Sequence, residues 1–401
     1  MLHRDGRRVE AGMDGGGACL AGAVRSLFCV FFAMGFGFAS WAARIPQVRD
    51  GLKLSAAGLG LLLLAIAVGA LVSLPFAGSV VGLLGVRRTV TVMALVSASG
   101  LFTAGVGSRV GAPVVAAGLA LLGAGNGAWL VAGNVEGTAI ERRLGRAMLP
   151  RFHASYSIGT VTGALIGAGL VLLNVSVTVH LIAVALAIAL VAPLASRRFL
   201  TSAERERVSD ARPVRPLAAW LEPRALLLGL CVFCAAFIEG AGNDWIGVSV
   251  VDGYHAKAVF GSLALSLFLA AMTAGRWFGT LFVDRFGRVA SLRVSAGLAC
   301  GGVLLTVFGA WLPLAMAAVA VWGAGAALGL PLGMSAAADD PIRAAGRVGV
   351  VTSIGWIAFL VAPPAIGFLG SRVGTLHALV AVAAFAAFAF ALANLVRSQA
   401  T

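Results

Sequence analysis

Long apolar runs recur from Arg25 to the C-terminus, each closed off by a short cluster of Gly, Pro, Ser or charged residues. A helix needs about 20 apolar residues to cross a bilayer core, because every backbone amide must find its partner within the segment. On that basis the pattern predicts spans at 26–43, 58–81, 89–107, 112–133, 154–173, 178–195, 226–250, 258–280, 290–309, 314–334, 349–370 and 376–396. The longest polar interruption, Ser196–Arg224, gathers charges with Pro213, Pro216 and Pro223 and leaves six spans on either side. The expected organisation is a disordered cytoplasmic N-terminus over 1–25, a six-helix bundle over 26–195, a cytoplasmic linker over 196–225, a second bundle over 226–396 and a cytoplasmic tail over 397–401. The Arg-rich start and the apolar run after it mimic a secretory signal. With so many spans behind it, that run reads as the first membrane helix.

The two sets of spans repeat. Gly-Ala-Gly at 123–125 in span four returns at 323–325 in span ten, and Ser-Ile-Gly at 157–159 in span five returns at 353–355 in span eleven. Ser40-Trp41 in span one is matched by Asp244-Trp245 in span seven. A shared offset in corresponding spans indicates duplication. The fold class is therefore an all-α integral membrane protein of about twelve transmembrane helices in two pseudo-repeated bundles.

Charge sets the orientation. Lys and Arg concentrate in cytoplasmic loops, and with the N-terminus inside only Arg44, Arg49, Lys53, Arg109, Lys257 and Arg372 fall outside. Arg276 lies within a span, and all the other cations fall in inner segments, so both termini are expected in the cytoplasm. Composition agrees with lipid as the solvent: 60% of the 401 residues are hydrophobic and 11% are charged, against about 25% charged in soluble domains. The net charge of +14 is confined to short loops and does not indicate nucleic acid. Cys231 and Cys234 form a Cys-x-x-Cys inside an apolar run with no second ligand pair, so they read as small helix residues; no metal or cofactor is expected.

The loop after span eight reads Asp284-Arg285-Phe286-Gly287-Arg288, with Thr280 four positions before it. The matching loop after span two has Gly78, then Gly82-Leu83, then Gly85, Arg87 and Arg88. This resembles the inner-loop signature of the major facilitator superfamily, G-x-x-x-D-R-x-G-R-R, and the resemblance implies that superfamily's fold. The second copy is nearly complete, whereas the first has lost its Asp-Arg. Such an Asp at a helix end pairs with an Arg of a neighbouring helix in one state of the transport cycle, and Arg276, two turns before Asp284, is a possible partner or neighbour. The segments ASWAARIPQVRDGL (39–52), GAGNGAWLVAGN (123–134), RFHASYSIG (151–159), EGAGNDW (239–245) and AMTAGRWFGTLFVDRFGR (271–288) resemble a bacterial branch related to fucose-permease-like sugar transporters. Relatives usually carry an acid four positions before the Asn that ends span four; here Leu130 precedes Asn134.

Ionisable groups at membrane depth are candidates for function. Glu239 falls near the middle of span seven and Asp244 further out, on a partly different side. Burial disfavours a charged carboxylate, so Glu239 is expected to exchange protons or contact substrate; a structural hydrogen bond is the other reading. Asp244 is a candidate for function, an outer gate or a helix cap. Asn243, Asn126, Asn134, Trp41, Trp129 and Trp245 either line a cavity for a neutral hydroxylated or aromatic solute or hold helices together; Trp41 and Trp245 also suit an aromatic belt. Arg44, before Pro46, is expected to snorkel outward, with attraction of anions as the alternative. His153 suggests a structural contact, Gly159, Gly163 and Gly167 a close helix approach, and Pro363-Pro364 a break or kink in span eleven.

The function expected is secondary transport of a small organic solute across the inner membrane of a bacterium by a monomer, with proton coupling through Glu239. Sugar-like import and metabolite or drug efflux both fit. No catalytic motif points to an enzyme. A sensor or scaffold with a transporter fold, docking partners on the linker, is the alternative.

Overall fold

The computed structural model describes residues 5–146, 148–201, 218–340 and 343–397. Most of the expected linker, including Pro213 and Pro216, lies outside them. Among the described residues, eleven helices are long and apolar enough to cross a membrane. One of them, Ala258–Phe308, is 51 residues long and holds two spans. It turns at Gly287, where φ is 77°, a conformation that only glycine adopts without strain. The spans therefore number twelve.

Span one is Asp5–Ala42, followed by a short helix, Ile45–Gly51. The helix of span one begins at Asp5, ahead of its apolar run. Spans two to six are Ala56–Leu84, Val86–Val110, Ala112–Leu144, Leu149–Leu172 and Val177–Ser196. Span seven is Pro223–Gly253, and spans eight and nine share the long helix. Span ten, Leu312–Ala337, consists of two helical pieces. Span eleven is Ala344–Val373 and span twelve Thr375–Val396. Pro363 and Pro364 lie inside span eleven without breaking it.

The repeated tripeptides do the same work in both halves. A Cβ on Gly123 would strike the backbone of Ile66 in span two, and one on Gly323 would strike Phe268 in span eight. Gly125 rests on Ser97 of span three and Gly325 on Ala299 of span nine. Gly159 meets Phe32 of span one, and Gly355 meets Val232 of span seven. Lipid offers no hydrophobic drive for helix association, so close backbone approach at small residues supplies the packing. The loop after span two shares this equivalence: Gly85 has φ 75°, the counterpart of Gly287.

Among the described residues, the hydrogen bonds between the halves lie at one end, the end that carries Ile45–Gly51. Arg49 of the first half grips Asp252 of the second with both terminal nitrogens, Nη2 to Oδ1 at 2.7 Å, and Thr375 donates to the same carboxylate at 3.1 Å. Ser262 Oγ donates to the carbonyl of Ala43 at 2.8 Å. Gly60 packs against Pro363 and Gly367. At the opposite end, which carries Gly85 and Gly287, no hydrogen bond or ion pair joins the halves between described residues. Among the described residues the halves are thus fastened by polar contacts at the first end, here termed closed, and not at the second, here termed open.

Candidate functional site

Midway along spans seven and eight, Arg276 Nη2 donates to Glu239 Oε2 at 2.7 Å, and Arg276 Nε reaches the carbonyl of Ala327 in span ten at 3.5 Å. Glu239 is therefore not an isolated acid in an apolar pocket. The pair faces the first half: the phenol of Tyr156 in span five is close enough to feel both charges, and Arg276 also acts on His153. His153 Nε2 donates to Asn134 Oδ1 at 3.1 Å, tying span five to span four. Accessibility rises towards the open end. Side-chain exposure is 12% for Glu239 and 30% for Arg276, and His153 is exposed. Asn243, one turn beyond Glu239 on the same face, is half-buried, and its Oδ1 has no protein partner.

The other expected residues divide. Asn126 accepts from Ser97 Oγ at 3.0 Å and joins span four to span three. It and Asn134, eight residues apart, are turned by about 80° from each other, which is why they bond different neighbours. Trp41, Trp129 and Trp245 are fully buried, so they belong neither to an open cavity wall nor to an aromatic belt. Asp244 is half-buried and has no partner among the described residues. Glu239 and Asp244 do diverge: Gly240, one turn before Asp244, packs on Phe359 of span eleven. Arg44 does not snorkel, because it is only 1% exposed.

Arg276 pairs with Glu239 at mid-depth rather than with Asp284, which is exposed at the open end alongside Arg285. Arg288 holds Asp339 at 2.6 Å, and Arg347 holds Glu222 at 2.7 Å, both within the second half. In the first half, Gly78, Arg87 and Arg88 are exposed. Asp284→Asn is therefore expected to leave the stability of this state within about 0.5 kcal/mol of wild type, while slowing transport through the opposite state. Thermal unfolding and flux measured on the same preparation check this; unchanged flux would reduce the signature to a solvated turn.

Sequence reasoning missed the Arg49–Asp252 fastening, Tyr156 and the buried His180. Arg49 read only as an outer-loop cation, and Asp252 was not singled out. Nothing local to either residue shows that they meet across 203 positions.

Twelve spans in two equivalent sets of six are the architecture of a membrane transporter. The Major Facilitator Superfamily profile matches residues 27–355, and the chain belongs to that superfamily. It is 30% identical over 371 residues to an uncharacterized transporter, y4wD, of Sinorhizobium fredii, covering 90% of this chain and 97% of that one. Its fold is similar to that of the nucleoside transporter NupG, with TM-score 0.77, 14% identity and coverage of 94% and 100% of the two chains. It is also similar in fold to a variant of the E. coli fucose:proton symporter FucP, with TM-score 0.62, 16% identity and coverage of 94% and 98%.

Proposed function

We propose that the chain is a proton-coupled secondary transporter of a small polar organic solute, and that Glu239 carries the proton. The observation that carries this reading is the Glu239–Arg276 pair, set at mid-depth in the second half, turned towards Tyr156 of the first and partly exposed. A charged pair at this depth is stable only while each charge compensates the other. A proton on Glu239 removes that compensation and frees the fork of Arg276 for another acceptor. A solute hydroxyl or carbonyl reaching Arg276, with Tyr156, Asn243 and His153 nearby, supplies it. Proton and solute then occupy one site in a linked manner, and the halves rock around that site. NupG and FucP, by their names, carry a nucleoside and fucose with a proton; a solute rich in hydroxyl groups suits the amides, imidazole and phenol gathered here.

Reconstituted protein tests this. Proteoliposomes with an inward pH gradient are expected to accumulate a transported sugar or nucleoside above equilibrium, and to lose the accumulation when the gradient is collapsed. Flux indifferent to the gradient would remove proton coupling. No flux with any solute of this class would remove the substrate assignment.

The open end is proposed to face the cytoplasm, on the strength of the Lys and Arg distribution. In a variant with its own five cysteines replaced, Arg109→Cys and Lys257→Cys are expected to react with an impermeant thiol reagent on intact cells. Arg205→Cys and Arg397→Cys are expected to react only after lysis. Outside labelling of Arg205→Cys would reverse the orientation.

A further inference from the structure

At the closed end an arginine is buried without a counter-charge. Arg44, 1% exposed, donates from Nε to Nδ1 of His180 at 2.9 Å, and His180 is itself 2% exposed. Because Nδ1 accepts, the imidazole is neutral and carries its proton on Nε2. Neither that Nε2 nor Arg44 Nη2 has a protein partner. Three neighbours in sequence are in the same condition: Ser40 Oγ and Trp41 Nε1, about one turn earlier, and both amide atoms of Gln47, three residues on. The surroundings are tight. The carbonyl of Ala43 accepts from Ser262 of the other half, and Gly167 leaves room for Ala43 and His180 to approach span five.

Among the described residues, no carboxylate pairs with Arg44. Asp50 and Asp252 are both engaged by Arg49, and Glu239 by Arg276. Asp244 lies on the side of span seven that turns to Phe359. Water can satisfy an N–H donor, but it does not neutralise a guanidinium in a medium of low dielectric. Two unpaired donors around a fixed positive charge form a receptor for an anion, and the arginine fork is the side chain best shaped for one.

We propose that Arg44 and His180 form a binding site for a compact anionic acceptor, chloride or the carboxylate of an organic solute. The anion enters when this end of the molecule opens and is held as it shuts. The site is separate from the Glu239–Arg276 pair and does not rest on the coupling role assigned to it.

The test uses full-length protein in detergent, with thermal unfolding followed in sodium chloride, sodium acetate and sodium methanesulfonate at matched ionic strength. A ligand that binds only the folded state raises the midpoint in proportion to its occupancy. The expected result is a saturable rise of a few degrees over methanesulfonate. A rise in chloride alone makes the occupant a free inorganic ion, a rise in acetate alone makes it an organic carboxylate, and a rise in both gives the site the shared chemistry. Arg44→Gln is expected to abolish the rise. His180→Phe keeps a ring of similar size and removes the Nε2 donor, so it guards against an Arg44 variant that does not fold; it is expected to raise the half-saturating concentration about tenfold. Equal midpoints in all three salts, or an unaltered anion dependence in His180→Phe, would overturn the proposal.

Discussion

Glu239→Gln is expected to abolish accumulation driven by a pH gradient and to spare exchange of solute at equal concentrations. The amide keeps the size of the side chain and still accepts from Arg276 through its oxygen, but it cannot take up and release a proton. Its cost in stability stays modest. Arg276 is 30% exposed, so water screens the charge left behind, and the loss falls near about 1 kcal/mol rather than the larger penalty of a sealed pair. Proteoliposomes loaded with labelled solute separate the two activities: counterflow reads exchange, and an imposed gradient reads coupling. Full gradient-driven accumulation in the variant would make Glu239 a structural residue. Loss of both activities would place it in solute binding instead.

Asp252→Asn is expected to loosen the closed end. The carboxylate accepts from two nitrogens of Arg49 and from Thr375, and the Arg49 contact crosses between the halves. Asp252 is 34% exposed and Arg49 13%. After allowance for screening, the loss amounts to about 1 kcal/mol, which moves the ratio of closed to open molecules about fivefold. Spin labels at Lys53→Cys and Lys257→Cys, exposed positions on opposite halves beside the fastening, would report it. The variant should add a longer component to the distance distribution that wild type lacks. An unchanged distribution would show that apolar packing, such as Gly60 on Pro363, holds this end shut without the ion pair.

The fold could be read along the chain because its determinants are local or repeat at a fixed offset. Apolar runs give the spans, and the glycines at 123, 125, 159, 323, 325 and 355 each mark a place where another helix must come close. Charged residues were less legible, because their meaning depends on what stands opposite. Glu239 stood out from its depth alone, yet its pairing with Arg276 depends on the relative rotation of two helices. Arg44 shows the same limit. The pattern places it at a helix end, where a long side chain normally reaches for water, but it turns inward to His180 of span six and is sealed in. Asn126 and Asn134 lie eight residues apart, and the drift of a helix over that distance sends them to different neighbours.

The loops at Gly85 and Gly287 bend through nearly the same dihedral angles, φ 75° and 77°, although only one of them still carries the Asp-Arg pair. The acidic residue of this loop is present in one copy only. The bend is present in both, because each copy must still reverse the chain within one residue. A residue with a Cβ at either position faces roughly 1 kcal/mol or more of backbone strain, whatever its charge. What these halves inherited in common is thus a main-chain corner, and its memory has outlasted the side chains once hung on it. Tracing the ancestry of such half-proteins by their corner glycines should reach further back than tracing it by their acids.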